Sequence, residues 1–231
     1  MGAAEAAVGP GRLHGLLLGE LALDAVLLEV ASTALASAPS VDSAGLTLGS
    51  KPNARSAATD DSAERLERLQ HQSHEGPSWE AAHTGEPVSL PAVTSERNWP
   101  GFTAKAVQEG VAGVHSVPVV VGDVVLGALT VYSRRGPVDE ADVGTIRELS
   151  HAAASVVANA IAFEGMRALV QQLNEAIESR DIIGQAKGVL MVRERIEPQE
   201  AFERLRRMSQ TQNMKVRDVA RQVVDSAQAE S

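Results

Sequence analysis

Residues 180–220 read RDIIGQAKGVLMVRERIEPQEAFERLRRMSQTQNMKVRDVA, the most basic stretch of a chain whose net charge is -9. Wound as a helix at about 100° per residue, Arg180–Arg195 puts Ile182, Ile183, Ala186, Val189 and Leu190 on one arc. The opposite arc carries Arg180, Gly184, Lys187, Gly188, Met191 and Arg195. Glycine inside a helix costs roughly 1 kcal/mol relative to alanine, so two of them on a solvent arc need a reason. One reason is close approach of a nucleic-acid phosphate backbone, with Arg and Lys positioning it. The other is a neighbouring helix of the same bundle.

Pro198 stands at a first helical position, and Gln199–Gln210 forms the next predicted helix. Its inner stripe is Ala201, Phe202, Leu205 and Met208, which leaves Glu203, Arg206, Arg207 and Gln210 outside. Asn213 breaks the pattern. A third helix starts near Lys215, with Val216, Val219, Ala220, Val223, Val224 and Ala227 inward. Three short helices of this kind make a bundle of about 50 residues with too little core to stand alone, so a fused helix and dimerisation should both help.

Upstream, Leu149, Ala152, Val156, Asn159, Phe163, Met166, Val170, Leu173 and Ile177 alternate spacings of three and four, the seam of a left-handed coiled coil. Asn159 is its one polar member. The first part of that seam can equally pack on a sheet; for Phe163, Met166, Val170, Leu173 and Ile177 pairing with a second helix is the expectation.

The remainder is an acidic body. Residues 1–166 carry 10 Lys+Arg against 20 Asp+Glu, whereas residues 167–231 carry 11 against 10, so any polyanion contact belongs to the tail. Residues 1–11 are rich in Ala and Gly and expected to be disordered. Helix-like spacing runs from Arg12 to Ala36, short strands are predicted at 43–48 and 55–59 around the turn GSKPN, and Asp60 or Asp61 caps a helix with Leu66 and Leu69 inward. A loop-rich stretch, 75–101, holds a short helix at 79–83 and a strand near 87–93; another short helix at 102–108 stops at Gly110. HSVPVVVGDVVLGALTVYS, residues 115–133, is a hairpin turning at Gly122-Asp123, its second strand central and Pro118 marking an edge or bulge in the first. From Asp139 the pattern is helical. The fold class is α+β: an antiparallel sheet with helices against it, a long helix, and a helical bundle.

In the body, Glu75-Gly76-Pro77, Trp99-Pro100 and the hairpin 117–132 resemble the GAF domain family of sensory modules, most of all those of actinobacterial regulators. Ser78 stands where that subfamily usually has cysteine, and no thiol sensing carries over. In the tail, AKGVLM, AFERLRRMSQ and NMKVRDVA at their spacings resemble the ANTAR domain, the RNA-binding module of transcription antiterminators. The resemblance implies dimers that hold two tandem RNA hairpins in a leader transcript and so prevent a terminator from forming. The expected division is 12–160 for the sensory body, 161–178 for a coiled-coil linker and 179–229 for the RNA module.

On that reading Arg180, Gly184, Lys187, Gly188, Met191, Arg206, Gln210 and Lys215 meet RNA, whose sequence is best read in unstacked loops because the A-form major groove is too deep and narrow. With Phe202 inward, the tail offers no exposed aromatic ring for base stacking. Trp79, Trp99 and Phe102 pack over or line the pocket expected of the body, which would take a small ligand of unspecified kind or none. The alternatives are a DNA-reading helix-turn-helix regulator, disfavoured by the mixed charge of Lys215, Arg217, Asp218, Arg221 and Asp225, and a ligand-sensing or dimerisation protein without nucleic acid.

An enzyme is not expected. There is no cysteine, no Gly-x-Ser-x-Gly turn and no phosphate-binding loop. His71 and His74 lack a third metal ligand at convincing spacing and read as surface histidines. No cofactor is called for. No run approaches about 18 apolar residues, and the N-terminus lacks the pattern of a secretory signal, so a cytoplasmic protein without a membrane span is expected.

Overall fold

The computed structural model describes residues 22–49 and 54–229. The chain falls into two compact units that meet in sequence at Glu164/Gly165. The expected N-terminal disorder, the start of the first helix at 12–21 and most of the GSKPN turn lie outside the described residues.

The first unit opens with α1 (Leu23–Ser37), followed by β1 (Ser43–Leu48) and β2 (Arg55–Ala58). Next come α2 (Asp61–Ser73), α3 (Pro77–Thr84), β3 (Val88–Leu90) and α4 (Pro100–Gln108). The long strands β4 (Gly113–Val121) and β5 (Val124–Ser133) precede α5 (Glu140–Glu194). Asp60 caps α2, its carboxylate accepting from the Ala63 amide at 2.8 Å, a contact worth about 1 kcal/mol.

The five strands form one antiparallel sheet in the order β2-β1-β5-β4-β3. The nearly continuous apolar run of β5 therefore lies at the centre, as its composition demands. The Gly122-Asp123 turn joins β4 to β5, with Gly122 at φ 58°. Pro118 pairs with Ala128 beyond the short reach of β3, and the register slips at Val119/Val120. Proline thus sits beside a bulge, where one side of its strand is unpaired. Its carbonyl accepts a hydrogen bond from Ser150 of α5 at 2.7 Å.

Each face of the sheet has its own core. One face packs α1 and the first part of α5, with Leu27, Val30, Leu46, Leu129, Ile146 and Val157 buried. Leu149 and Val156 of the heptad seam belong to this core, so that part of the seam packs on the sheet. The other face packs α2 and α4 through Leu66, Phe102, Val114 and Tyr132. By length and composition α5 could cross a bilayer; its N-terminal portion instead buries its apolar side on strands.

The second unit comprises the rest of α5, then α6 (Pro198–Gln212) and α7 (Val216–Ala229). Pro198 opens α6, as its lack of a backbone N–H favours. Asn213 closes it in the left-handed region at φ 53°, a conformation asparagine tolerates. The core is Ala186, Leu190, Ala201, Leu205, Val219, Ala220, Val223 and Val224. Three of these eight residues are alanine.

Candidate nucleic-acid interface and the interior of the body

The faces of the bundle follow the helical arcs with two exceptions. Ala186 and Leu190 of α5 are buried and Ile182, Ile183 and Val189 pack beside them. Arg180, Gly184, Gly188, Arg206, Gln210 and Lys215 are exposed, and Lys187 is half-buried. Met191 departs from the outer arc: it is half-buried and packs against the core, as a flexible thioether readily does. Phe202 departs in the opposite direction. It is 38% exposed while its neighbours Ala201 and Leu205 are fully buried.

Gly184 and Gly188 are open. A Cβ built on either meets nothing within 4 Å, so neither accommodates a helix among the described residues. The cations around them are also largely unneutralised. Arg180, Lys187 and Lys215 form no ion pair among the described residues, whereas Arg206 is held by Glu203 at 3.1 Å one helical turn away. Arg217, by contrast, points to Glu175 at 3.5 Å and Asp218 at 3.8 Å. The candidate residues are thus distributed over α5, α6 and the turn before α7, held by one core, with their charges facing water.

N-terminal to this bundle, every residue from 161 to 178 is exposed. Phe163 is 37% exposed, Met166 62%, Val170 51%, Leu173 55% and Ile177 58%. An apolar seam of this length on a solvated helix is the usual mark of a missing partner.

In the body the three proposed pocket aromatics are separated. Phe102 is fully buried in the core under α4, and Trp99 packs half-buried against that core. Trp79 lines a cavity of about 210 Å³ together with His83, Leu126 and Gly127. Its ring meets His71 edge-on at 6.0 Å, His74 at 4.4 Å and His83 in a stack at 5.9 Å. His71 is therefore buried against an aromatic ring rather than displayed on the surface. Among the described residues no cluster of three or more His, Asp or Glu is arranged to hold a metal ion.

A second interior feature was missed by the sequence pattern. Leu69 is only half-buried; Glu67 and Gln70 of α2 go fully inside instead. The Glu67 carboxylate accepts from the Tyr132 hydroxyl at 2.6 Å, Thr47 at 2.7 Å and Ser78 at 2.9 Å. Gln70 donates to Tyr132 at 3.0 Å and accepts from the Ser78 amide at 2.8 Å. Four elements of the fold are tied together at this one carboxylate. Burial pushes the Glu67 carboxyl above its ordinary range, and the hydroxyl donors pull against that shift. Burial, with Glu67 beside it, raises Tyr132 well above its usual value and keeps it a donor.

Glycine is required on both sides of the network. A Cβ at Gly45 would lie 2.7 Å from Glu67 Cγ, and one at Gly76, which adopts φ 119°, would lie 2.5 Å from Gln70 Oε1. Ser78, in the position read from the sequence as replacing a cysteine, serves here as a hydrogen-bond donor. The available signal was the polar pair Glu67 and Gln70 on the arc of Ala63 and Leu66.

The body is an open five-stranded antiparallel sheet with helices on both faces, and the long helix α5 runs on into a small helical bundle. Comparison with known families agrees with this. The profile of the GAF domain matches residues 20–158 and that of the ANTAR domain residues 171–224. The chain belongs to the GAF domain family and carries an ANTAR domain at its C-terminal end, a regulatory rather than catalytic domain content.

Solved structures agree on the fold of the body. A domain of a sensor histidine kinase protein from Sinorhizobium meliloti 1021 is 16% identical with a TM-score of 0.52, covering 64% of this chain and 99% of that one. The GAF domain of an Acinetobacter phosphoenolpyruvate-protein phosphotransferase is 18% identical with a TM-score of 0.50, covering 68% and 94%. The LuxR-family factor CepR2 from Burkholderia cenocepacia, described as dependent on N-acylhomoserine lactone, is 18% identical with a TM-score of 0.52, covering 66% and 95%. At these identities the likeness concerns fold alone. The comparison with curated proteins gives no match.

Proposed function

We propose that this chain is a cytoplasmic transcription antitermination regulator that binds tandem RNA hairpins of a leader transcript as a homodimer. The observation that carries the reading is the open glycine pair Gly184 and Gly188, flanked by Arg180 and Lys187, which have no ion-pair partner among the described residues. Such a surface admits a phosphate backbone closely and supplies cations to it. Arg206, Gln210 and Lys215 extend it over the second helix and the following turn, while Met191 contributes packing beneath it.

Residues 161–178 act as the linker that pairs two copies, through Phe163, Met166, Val170, Leu173 and Ile177. Two RNA modules in one dimer gain by avidity on a two-hairpin target. The body, 12–160, senses or dimerises; Trp79 and His83 at the small cavity are where a small ligand would enter, and Trp99 and Phe102 support the core behind. A gel-shift comparison of a single hairpin, a tandem hairpin and duplex DNA tests the proposal. The tandem RNA should bind tightest; equal or tighter binding of duplex DNA would overturn it.

A further inference from the structure

Phe202 is the only aromatic residue after Phe163, and the bundle does not bury it. At about 100° per residue it lies roughly 60° from the buried Leu205 and roughly 40° from Arg206, one turn ahead. The ring therefore stands at the border where the apolar core gives way to the cationic face. Its exposed neighbours on the helix are polar or small: Gln199 and Pro198 one turn back, Arg206 one turn on. This is a single ring in polar surroundings, unlike the apolar seam at 163–177. A protein face apolar enough to cover the ring would leave Gln199 facing it without a hydrogen-bond partner. A nucleobase, with a π-face and polar edges, satisfies both.

We infer that Phe202 is a stacking platform for one unpaired base of an RNA loop, with Arg206 beside it for that nucleotide's phosphate or base edge. The inference rests on the RNA-binding reading and deepens it. Recognition of single-stranded RNA commonly stacks splayed bases on aromatic rings, and such stacking tolerates any base because each has a π-face.

The test uses the whole chain and a pool of RNA stem-loops with randomised loops, enriched on the wild-type protein. Affinity of the enriched RNA is then measured for wild type, Phe202→Leu and Phe202→Trp. Leucine keeps an apolar side chain of similar size but has no ring face. Loss of stacking should weaken binding roughly 5- to 150-fold, with the salt dependence unchanged because every phosphate keeps its cation. Tryptophan should bind as wild type does. A 2-aminopurine placed in the loop should be quenched by wild type and not by the leucine variant. Equal affinity of the leucine variant overturns the platform and leaves the RNA reading standing. A leucine variant that loses affinity only in proportion to a fallen dimer fraction or melting temperature assigns the ring to protein packing and also overturns it. Failure of the wild type to enrich any RNA removes both.

Discussion

Alanine at Gly184 and Gly188 should make the protein more stable and a poorer RNA binder. Each glycine lies inside α5, and a Cβ on either meets nothing within 4 Å, so the substitution adds no clash within the chain. The helix then gains the propensity difference, about 0.8–1.0 kcal/mol per site, or about 2 kcal/mol for the pair. For a unit of about 60–100 residues melting on its own, 1 kcal/mol corresponds to roughly 4–8 °C; if the whole chain melts as one, about half of that. The same methyl groups stand where an RNA backbone is proposed to lie. Displacing it from Lys187 forfeits a charge-assisted hydrogen bond of about 1.5–3 kcal/mol, roughly a 10- to 150-fold loss of affinity. Gly144 shares α5 and is equally open, so alanine there should stabilise without touching RNA binding. The assays are thermal unfolding by circular dichroism and fluorescence anisotropy of a labelled tandem hairpin. Alanine at 184 and 188 that stabilises and leaves affinity unchanged would refute the close approach; alanine that destabilises would refute the open helix face.

Replacing Lys187 or Arg206 by Ala should weaken hairpin binding and reduce the slope of log K against log salt by roughly one unit for each phosphate no longer neutralised; an unchanged slope would give those side chains a structural role. Aspartate at Val170 and Leu173 should yield monomers by light scattering that lose tandem-hairpin affinity more than single-hairpin affinity, and persistent dimers would place the interface elsewhere. Glu67→Gln should raise the melting temperature relative to wild type progressively as pH increases. A carboxyl with a raised folded-state pKa favours the fold while protonated, below its ordinary value near 4.5, and that contribution is lost as pH climbs through the folded value. The difference between the two proteins should accordingly be flat below that point and grow above it; a flat difference throughout would show that burial does not shift Glu67.

The elements legible in the sequence are those fixed by local chemistry. The β-branched runs around Gly122-Asp123 specify a hairpin by themselves, Asp60 specifies a helix start, and Pro198 and Asn213 bracket α6. What escaped depends on neighbours far away in the chain. Glu67 is tolerated inside because Thr47, Ser78 and Tyr132 converge on it from three other elements, and no window of periodic residues contains those partners. Met191 and Phe202 exchanged sides for a related reason. A helical arc assigns a residue by angle alone, but packing against the other helices decides whether a border residue is taken in; here Met191 packs on the core while Phe202 stays 38% exposed. Phe102, expected to pack over or line the pocket, is fully buried in the core with Leu66, Val114 and Tyr132.

If the exposed stretch 161–178 pairs two copies as proposed, the chain's abundance becomes an input. All eighteen residues are exposed, with Glu164 paired to Arg55 at 2.8 Å and Glu175 to Arg217 at 3.5 Å. On the proposed dimer reading, a second copy covering the seam would stabilise the pair, whose population would rise with protein concentration by mass action. Regulation would then begin with how many copies of the chain a cell holds, before any ligand reaches the body.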